Sequence, residues 1–311
     1  MKNINAADRL TSGRPSRARA LAFIHLSLAI AALSSTPILY RLSELGPTAT
    51  SFYRTFFAIP VFVAWIVVER HRVTGLGSPV AALWRMDGPV LGVGAAFFAA
   101  NIVNYAWAIH FTSVANASLL SNLSPIFVSL GSFLMFGERV RRGFVGAMVM
   151  AVGGVAVLTS DKLAIGSDQI LGDWFALLSA ILFAAYLMVV GRLRQRLTSA
   201  TIMLWTSALA AIGLGLVSMA TGESLAPQTF AGWSMLLGLA IVSYALGQGL
   251  LVVAVAELGT AFSSISLLLL PATAALLGWA LLGEPLTARQ VIGGVIILAS
   301  IAGANFASAR R

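Results

Sequence analysis

Charged residues are scarce in this sequence: Asp, Glu, Lys and Arg together make up 10% of its 311 residues. Ordinary globular domains carry about 25% charged residues, which help to cover the surface that faces water. Hydrophobic residues, in contrast, make up 59% of the chain. Such a chain has too little charge to cover a water-exposed surface, so we expect lipid to surround most of it.

Cysteine is absent, and acidic residues are absent from the interior of the long apolar stretches. Without cysteine the chain forms neither disulfide bonds nor thiolate metal sites. All eleven Asp and Glu residues fall in predicted loops or at the ends of apolar segments. Ion-coupled pumps commonly bury a carboxylate within the membrane. We therefore expect transport by this chain to run downhill, or to use a coupling that needs no buried acid.

The sequence also lacks the motifs of common enzyme classes. It contains no HExxH, CxxC or Gly-x-Ser-x-Gly pattern, and its three histidines lie on separate segments. We therefore expect no enzymatic activity, no cofactor and no bound metal. The net charge of +9 does not indicate nucleic-acid binding, because the basic residues form short clusters between uncharged stretches rather than one patch.

Ten apolar stretches are each long enough to cross the roughly 30 Å of bilayer hydrocarbon. They cover residues 20–40, 48–68, 88–109, 113–136, 140–158, 170–190, 199–220, 230–254, 260–282 and 287–306. The first follows an arginine-rich stretch, as a signal peptide would, but it is longer than a signal peptide and nine similar segments follow it. We interpret it as the first span.

The distribution of basic residues predicts the orientation of these spans, because cytoplasmic loops retain Arg and Lys. With the N-terminus inside, sixteen basic residues face the cytoplasm and three face the opposite side. This bias predicts that both chain termini are cytoplasmic.

The two halves of the chain resemble each other when one is shifted by 146 residues. This shift aligns Pro125 with Pro271, and Gly137-Glu138 with Gly283-Glu284. Each copy holds five spans, so the second copy must enter the membrane from the opposite side. We predict an all-α integral membrane fold of ten transmembrane helices in two inverted five-helix repeats. The predicted parts are tails at 1–19 and 307–311, repeats at 20–158 and 170–306, and a connecting loop at 159–169.

Several motifs resemble the EamA repeat of the drug/metabolite transporter superfamily. They include the segment from Ala115 to Leu120, then Pro125, Gly137-Glu138-Arg139 and Gly153-Gly154 in the first copy. The second copy repeats them as Pro271, Gly283-Glu284-Pro285 and Gly293-Gly294. Among members, the overall pattern is most similar to bacterial exporters of aromatic and other amino acids. The resemblance implies a bacterial inner-membrane location and the export of amino acids or similar metabolites.

Polar side chains inside the spans are candidates for the substrate pathway, because they are costly in lipid unless they face the bundle interior or water. Asn101 and Tyr105 share one face of the third span, and Tyr244 and Gln248 share one face of the eighth. Amide and hydroxyl groups supply both donors and acceptors for an amino acid's ammonium and carboxylate. The candidate substrate-binding residues are Asn101, Tyr105, Asn122, Tyr186, Trp205, Tyr244, Gln248 and Ser266. The alternative, which we favour for the serines, is that they bond across helices.

Three tryptophans, Trp107, Trp205 and Trp279, are further candidates for an aromatic wall, together with Tyr186. The alternative is that such residues anchor the chain at the membrane interface. Arg54 lies near the outer end of the second span. We expect its side chain to reach the interface or to pair with Glu44.

Pro125 and Pro271 each interrupt the middle of a predicted span and remove a backbone donor there. We predict them as bending points for gating, with a static kink as the alternative.

These observations predict a monomeric membrane transporter that exports amino acids, with aromatic and other neutral ones favoured, by alternating access. The alternatives are a channel-like facilitator and a carrier of another metabolite such as a phosphorylated sugar. The expected partners are the small-molecule substrate and the lipid bilayer, and no nucleic acid.

Overall fold

The computed structural model describes residues 17–72, 87–112, 114–136, 142–160, 170–282 and 286–309, and all regular secondary structure within these ranges is helical. Within these ranges, seven helices are long and apolar enough to cross a membrane. Three shorter apolar helices cover Leu119–Leu134, Gly143–Leu158 and Ala288–Gly303. These ten segments coincide with the ten predicted spans, so the predicted all-helical membrane fold is confirmed. The Gly-Glu motifs at 137–138 and 283–284 lie outside the described residues.

Five of the spans are single helices, and five are divided. The single helices are the third (Gly88–Phe111), fifth (Arg142–Thr159), sixth (Ile170–Leu193), seventh (Ser199–Thr221) and tenth (Ala288–Ala309). The first span consists of Arg17–Ser34 and Thr36–Arg41, the second of Pro47–Phe56 and Ile59–Arg72, and the fourth of Val114–Ser121 and Ser124–Phe136. The eighth consists of Phe230–Gly238, Leu239–Gln248 and Gly249–Leu258, and the ninth of Thr260–Ser266, Leu267–Leu269 and Leu270–Leu282.

Prolines account for four of these divisions. Pro37, Pro60, Pro125 and Pro271 are each the second residue of the helix that follows the break. Proline lacks a backbone N–H and disrupts a helix interior, yet it fits the first turn of a new helix. The fourth and ninth spans therefore break at equivalent positions of the two repeats. A role of these breaks in gating stays a prediction.

The middle of the eighth span is a π-helix over Leu239–Gln248. This wider helix, with i→i+5 hydrogen bonds, is rare and occurs mostly as short bulges, frequently at functional sites. It carries two of the candidate residues, Tyr244 and Gln248, on its buried side. The corresponding third span is regular α-helix throughout, so the two repeats differ at this point.

The spans of the two repeats pack against each other in matching pairs. The first span packs on the eighth, and its counterpart in the second repeat, the sixth, packs on the third. The second span packs on the seventh, and the fifth packs on the tenth. The bundle is thus held together by contacts between the repeats, as expected when two inverted copies enclose a common interior.

Glycines allow the fifth and tenth spans to cross closely. A Cβ atom added to Gly293 would lie 2.6 Å from the Gly154 carbonyl oxygen and 2.6 Å from Leu158 Cβ. A Cβ added to Gly154 would lie 3.0 Å from the Gly293 carbonyl oxygen. Small residues of this kind let helix backbones approach each other inside a membrane, where the hydrophobic effect does not drive helices together.

Two carboxylates join the connection between the first and second spans to the connection between the seventh and eighth. Glu44 accepts hydrogen bonds from the backbone nitrogens of Gln228 (2.8 Å) and Thr229 (3.2 Å) and from the Thr229 hydroxyl. The hydrogen bond from the Thr229 side chain, opposed by a smaller desolvation effect and reinforced by the two backbone donors, lowers the pKa of Glu44. Its contribution to stability is therefore complete above the unfolded-state pKa and is lost as the pH falls through the lowered value.

Glu223 makes the reverse connection. Its carboxylate accepts from the backbone nitrogens of Thr48 (3.3 Å) and Ala49 (2.7 Å), at the start of the second span. The Tyr53 hydroxyl donates to the Leu225 carbonyl oxygen at 2.6 Å. A carboxylate at a helix N-terminus satisfies free backbone donors and interacts favourably with the helix dipole. Each repeat thus supplies a carboxylate that binds the other repeat's loop or helix start.

We predict that Gly293→Ala destabilises the protein, because the added methyl group would meet the backbone of the fifth span at 2.6 Å. Overpacking of this kind costs about 1–3 kcal/mol. The measurement is the thermal unfolding temperature of purified protein in detergent.

Gly153→Ala is the matched control, because a Cβ at Gly153 meets nothing within 4 Å. Replacement of an exposed helical glycine by alanine should leave stability unchanged or raise it by up to about 1 kcal/mol. Equal unfolding temperatures for the two variants would contradict the close crossing of the fifth and tenth spans.

Candidate functional site

An aromatic cluster lies at the centre of the bundle, where the repeats meet. The Tyr244 ring is fully buried, and Phe98 stacks on it with ring centroids 5.5 Å apart at 19°. Phe62 meets the same ring edge-on at 5.9 Å and 81°. Phe98 also packs against Tyr186, with centroids 4.8 Å apart. Two candidate residues of the second repeat, Tyr186 and Tyr244, therefore both contact a phenylalanine of the first.

The hydroxyl groups of the two tyrosines lie among polar side chains of the seventh and eighth spans. The Tyr244 hydroxyl is hydrogen-bonded to the Ser207 hydroxyl at 2.8 Å. The Tyr186 hydroxyl lies beside Gln248 and Thr206 and donates to Met203 Sδ at 3.9 Å. Gln248 is 3% exposed, and its amide nitrogen makes no hydrogen bond of good geometry to the described residues, although the side chain lies beside the Tyr186 hydroxyl. The cluster therefore includes a buried donor that the described protein leaves unsatisfied.

Arg54 brings a positive charge to this cluster. Its side chain is 9% exposed, and the guanidinium carbon lies 5.2 Å from the centroid of the Tyr244 ring. Within the described ranges the structure shows no salt bridge or hydrogen bond for Arg54, and its Nε atom is buried without a partner. A desolvated cation–π contact contributes about 2 kcal/mol, whereas burying an ion costs at least several kcal/mol. The contact with Tyr244 therefore offsets only part of the cost.

This placement corrects the expectation for Arg54. It neither reaches the membrane interface nor pairs with Glu44, whose carboxylate is bound by Gln228 and Thr229. The reason is the face of the helix: Pro47–Phe56 buries its polar side, which includes Thr48, Thr50, Ser51, Arg54 and Thr55. The position of Arg54 along the span indicated its depth but not the direction of its side chain.

Asn101 lies at a different contact, between the third and sixth spans. Its amide nitrogen donates to the Ser179 carbonyl oxygen at 2.9 Å and to the Ser179 hydroxyl at 2.8 Å. Asn104, one turn further on, donates to the carbonyl oxygen of Ala100 in its own helix at 2.8 Å. Asn101 thus bonds across helices, as the structural alternative predicted, and a substrate contact for it stays a prediction.

Tyr105 and Asn122 belong to the third and fourth spans. Tyr105 is half-buried and packs beside Ala108, Ala117 and Ala176 of the third, fourth and sixth spans. Asn122 is half-buried in the turn that separates the two helices of the fourth span. Both helices of the fourth span pack on the sixth span. The binding role of Tyr105 and Asn122 stays a prediction.

The remaining candidates divide between the core and the surface. Ser266 donates to the Phe262 carbonyl oxygen of its own helix at 2.9 Å, and Trp205 packs half-buried against the core. The proposed aromatic wall of tryptophans is wrong in part, because Trp107 is 40% exposed and Trp279 is 55% exposed on the outside of the bundle. Phe62 and Phe98 line the interior instead. Their residue type gave no signal in a sequence with 17 phenylalanines.

Two inverted five-span repeats that enclose a buried polar cluster define the protein as a membrane transporter. The chain matches the EamA-like transporter family twice, over residues 18–160 and 170–306. It belongs to that family.

Several known proteins are similar to this chain. An uncharacterized transporter of Archaeoglobus fulgidus is 26% identical over 89% of this chain and 95% of the relative. The pseudopaline exporter of Pseudomonas aeruginosa is 29% identical over 70% of this chain and 75% of the relative. A probable terminal-alkyne amino-acid exporter of Streptantibioticus cattleyicolor is 27% identical over 69% and 72%, respectively. A crystal structure with 20% sequence identity covers 94% of this chain and 99% of its own with a TM-score of 0.79, and so shares the fold.

We predict that Asn101→Ala lowers the free energy of unfolding by about 0.6–2 kcal/mol, the range for a hydrogen bond between membrane helices. The variant loses both bonds to Ser179 in the sixth span. The measurement is the unfolding temperature in detergent.

Asn104→Ala serves as the control, because this variant removes an amide whose bond stays within one helix. If the Asn104 variant lost as much stability as the Asn101 variant, the bond between the third and sixth spans would not be the cause.

Proposed function

We propose that this transporter exports amino acids, with aromatic and other neutral ones favoured, or similar small metabolites. Its pathway runs through the cluster of Tyr186, Tyr244 and Gln248. The observation that carries this proposal is the unsatisfied Gln248 donor in a fully buried aromatic cluster between the repeats. Buried polar groups are almost always hydrogen-bonded. An unsatisfied one in the core of a transporter is best explained by a substrate that binds it during part of the cycle.

The chemistry of the cluster suits an amino acid. An ammonium group needs hydrogen-bond acceptors, which the hydroxyls of Ser207 and Tyr244 and the Gln248 amide oxygen supply. Phe62 and Phe98 offer apolar ring surface for the side chain of the substrate, and aromatic rings pair favourably with one another. A neutral amino acid with an aromatic side chain uses both kinds of contact.

Alternating access follows from the repeat architecture. Inverted repeats exchange conformations, so that a central site opens first to one side and then to the other. The breaks before Pro125 and Pro271 lie at equivalent positions of the fourth and ninth spans, and we propose them as the bending points. The cluster itself is closed, since Tyr186 and Tyr244 are 0% exposed. A closed centre favours a carrier over a channel-like facilitator.

The relatives and the distribution of charge support the rest of the proposal. Two of the relatives carry the names of exporters, one for pseudopaline and one for an amino acid. The excess of Arg and Lys on one side favours cytoplasmic termini in a bacterial inner membrane. We propose that the chain works as a monomer, and that transport runs downhill or uses a coupling without a buried acid.

A carrier of phosphorylated sugars is the second candidate. One structural observation supports it, whereas the sequence alone gave it little support. Arg54 lies in the core, where a guanidinium could meet a phosphate. Among the described residues, however, the other basic residues lie in loops or in the first or last turns of helices. A phosphate dianion would call for more than one cation, so the amino-acid proposal remains the stronger.

We predict that purified protein in liposomes exchanges internal and external L-phenylalanine, and that Gln248→Ala lowers the initial rate about tenfold. The expected loss corresponds to one hydrogen bond to a charged substrate group, about 1.5–3 kcal/mol. The measurement is counterflow of labelled L-phenylalanine, with leucine, tryptophan and glucose 6-phosphate as competitors.

Gln195→Ala is the matched control, because Gln195 is exposed between the sixth and seventh spans. Both variants should elute as the wild type does in size-exclusion chromatography. A wild-type rate for Gln248→Ala would remove Gln248 from the site. A flux that does not saturate and shows no counterflow would favour a channel, and competition by glucose 6-phosphate alone would favour the second candidate.

A further inference from the structure

We infer that Arg54 binds the carboxylate of the transported molecule, so that the carrier selects substrates bearing a carboxylate. This inference rests on the proposed function and adds the chemical class that the central site requires. Neither the position of Arg54 in the sequence nor the similarity to other transporters indicates this role. The burial of the side chain and the absence of a counter-ion in the described structure indicate it.

The geometry places the guanidinium at the contact between the repeats. Arg54 belongs to the second span, in the first repeat, and lies over the ring of Tyr244 in the π-helix of the second repeat. The hydrogen bond to Ser207 fixes the orientation of that ring. Gln248, whose amide nitrogen also has no partner within the described ranges, follows one turn later in the same helix. A cation thus lies over the Tyr244 ring, and an amide donor follows four residues later in the same helix.

The described acidic residues all have other neighbours. Glu44 and Glu223 accept hydrogen bonds from the loop and helix start described above. Asp173 accepts from the Thr112 hydroxyl at 2.9 Å, and Asp87 lies 3.8 Å from Arg196. The remaining two, Glu69 and Glu257, act on Arg194, where they oppose the lowering of its pKa by burial. None of these six is the counter-ion of Arg54.

A buried guanidinium without a counter-ion favours an anionic ligand. A guanidinium has five donors in a planar fork and binds a carboxylate through two parallel hydrogen bonds. Such a ligand would satisfy the Nε atom, which is buried and unpaired. The carboxylate of the ligand would thus supply the counter-ion that the described residues do not provide for Arg54.

A carboxylate-binding Arg54 would restrict the range of molecules that the carrier transports. A molecule with an aromatic side chain and a carboxylate fits both the ring surface and Arg54. The corresponding amide fits only the rings, because it has no negative charge for the guanidinium. The carrier should therefore discriminate between L-phenylalanine and L-phenylalaninamide, and 3-phenylpropionate should compete although it lacks the amino group.

The test compares wild type, Arg54→Gln, Arg54→Lys and Arg192→Gln in liposomes. Counterflow of labelled L-phenylalanine is measured with 3-phenylpropionate and L-phenylalaninamide as competitors. In the wild type we expect the acid to inhibit at a concentration at least about tenfold lower than the amide. Arg54→Gln should lower transport at least about tenfold and abolish the preference for the acid. Arg54→Lys should retain part of both, because it keeps the charge but loses the fork.

Arg192→Gln is the matched control, since Arg192 is exposed in the last turn of the sixth span. This variant should behave as the wild type.

The unfolding temperature of the ligand-free protein separates a ligand-binding role of Arg54 from a structural one. If Arg54 awaits a ligand, Arg54→Gln leaves that temperature unchanged or raises it, because an unpaired buried charge is removed. A preference for the acid that survives in Arg54→Gln would overturn the inference. If Arg54→Gln does not fold and Arg54→Lys folds without the preference, the residue is structural.

Different experimental results would contradict the proposed amino-acid transport and the proposed role of Arg54. If the wild type exchanges L-phenylalanine but accepts the amide equally well, amino-acid transport stands and the Arg54 assignment falls. If the wild type transports no amino acid, the proposed function falls, and binding of 3-phenylpropionate decides on Arg54 alone. In that case, a rise in unfolding temperature with 3-phenylpropionate that is lost in Arg54→Gln would support a carboxylate site. No rise would overturn it.

Discussion

The interior of a membrane offers no water to a polar group, and this constraint governs the whole structure. Each buried donor or charge must find a partner in the protein, or the protein must accept a cost of several kcal/mol. Most polar side chains of the described residues obey it: Asn101 bonds to Ser179, and Ser266 bonds within its own helix. Arg54 and Gln248 are among the six described residues with a buried polar atom that does not. Arg54 lies over the Tyr244 ring, and Gln248 follows Tyr244 in the same helix, between the repeats. A transporter of this architecture holds its substrate in such a central position.

The scaffold around this cluster combines close contacts with interrupted helices. The fifth and tenth spans cross at Gly154 and Gly293 with no room for another methyl group. The fourth and ninth spans, in contrast, break before Pro125 and Pro271. Well-packed helix pairs move as units, whereas motion concentrates at a few residues that join them. Alternating access by two inverted repeats requires both rigid helix pairs and a few points at which helices can bend.

The fold was predictable because it follows from long apolar segments, whose number and spacing can be read directly. The repeat was equally visible, since Pro125 and Pro271 mark it. The site was harder to predict from the sequence. The i, i+4 spacing of Tyr244 and Gln248 correctly predicted that they share a buried face. Both residues belong to a π-helix, which the apolar composition does not reveal. The direction of Arg54 and the choice of Phe62 and Phe98 as the aromatic wall depend on how helices rotate against one another. A single uniformly apolar sequence contains no amphipathic signal for that rotation.

Alternating access requires the buried cluster to open to both sides of the membrane in turn. The chain has no cysteine, so Gln248→Cys introduces a single reactive thiol into the proposed pathway. Membrane vesicles of both orientations are treated with a membrane-impermeant thiol reagent, with and without saturating L-phenylalanine. We expect the thiol to react from either face and the substrate to slow the reaction from both. Reaction from neither face, or from one face under every condition, would rule out a cluster that opens to the two sides in turn.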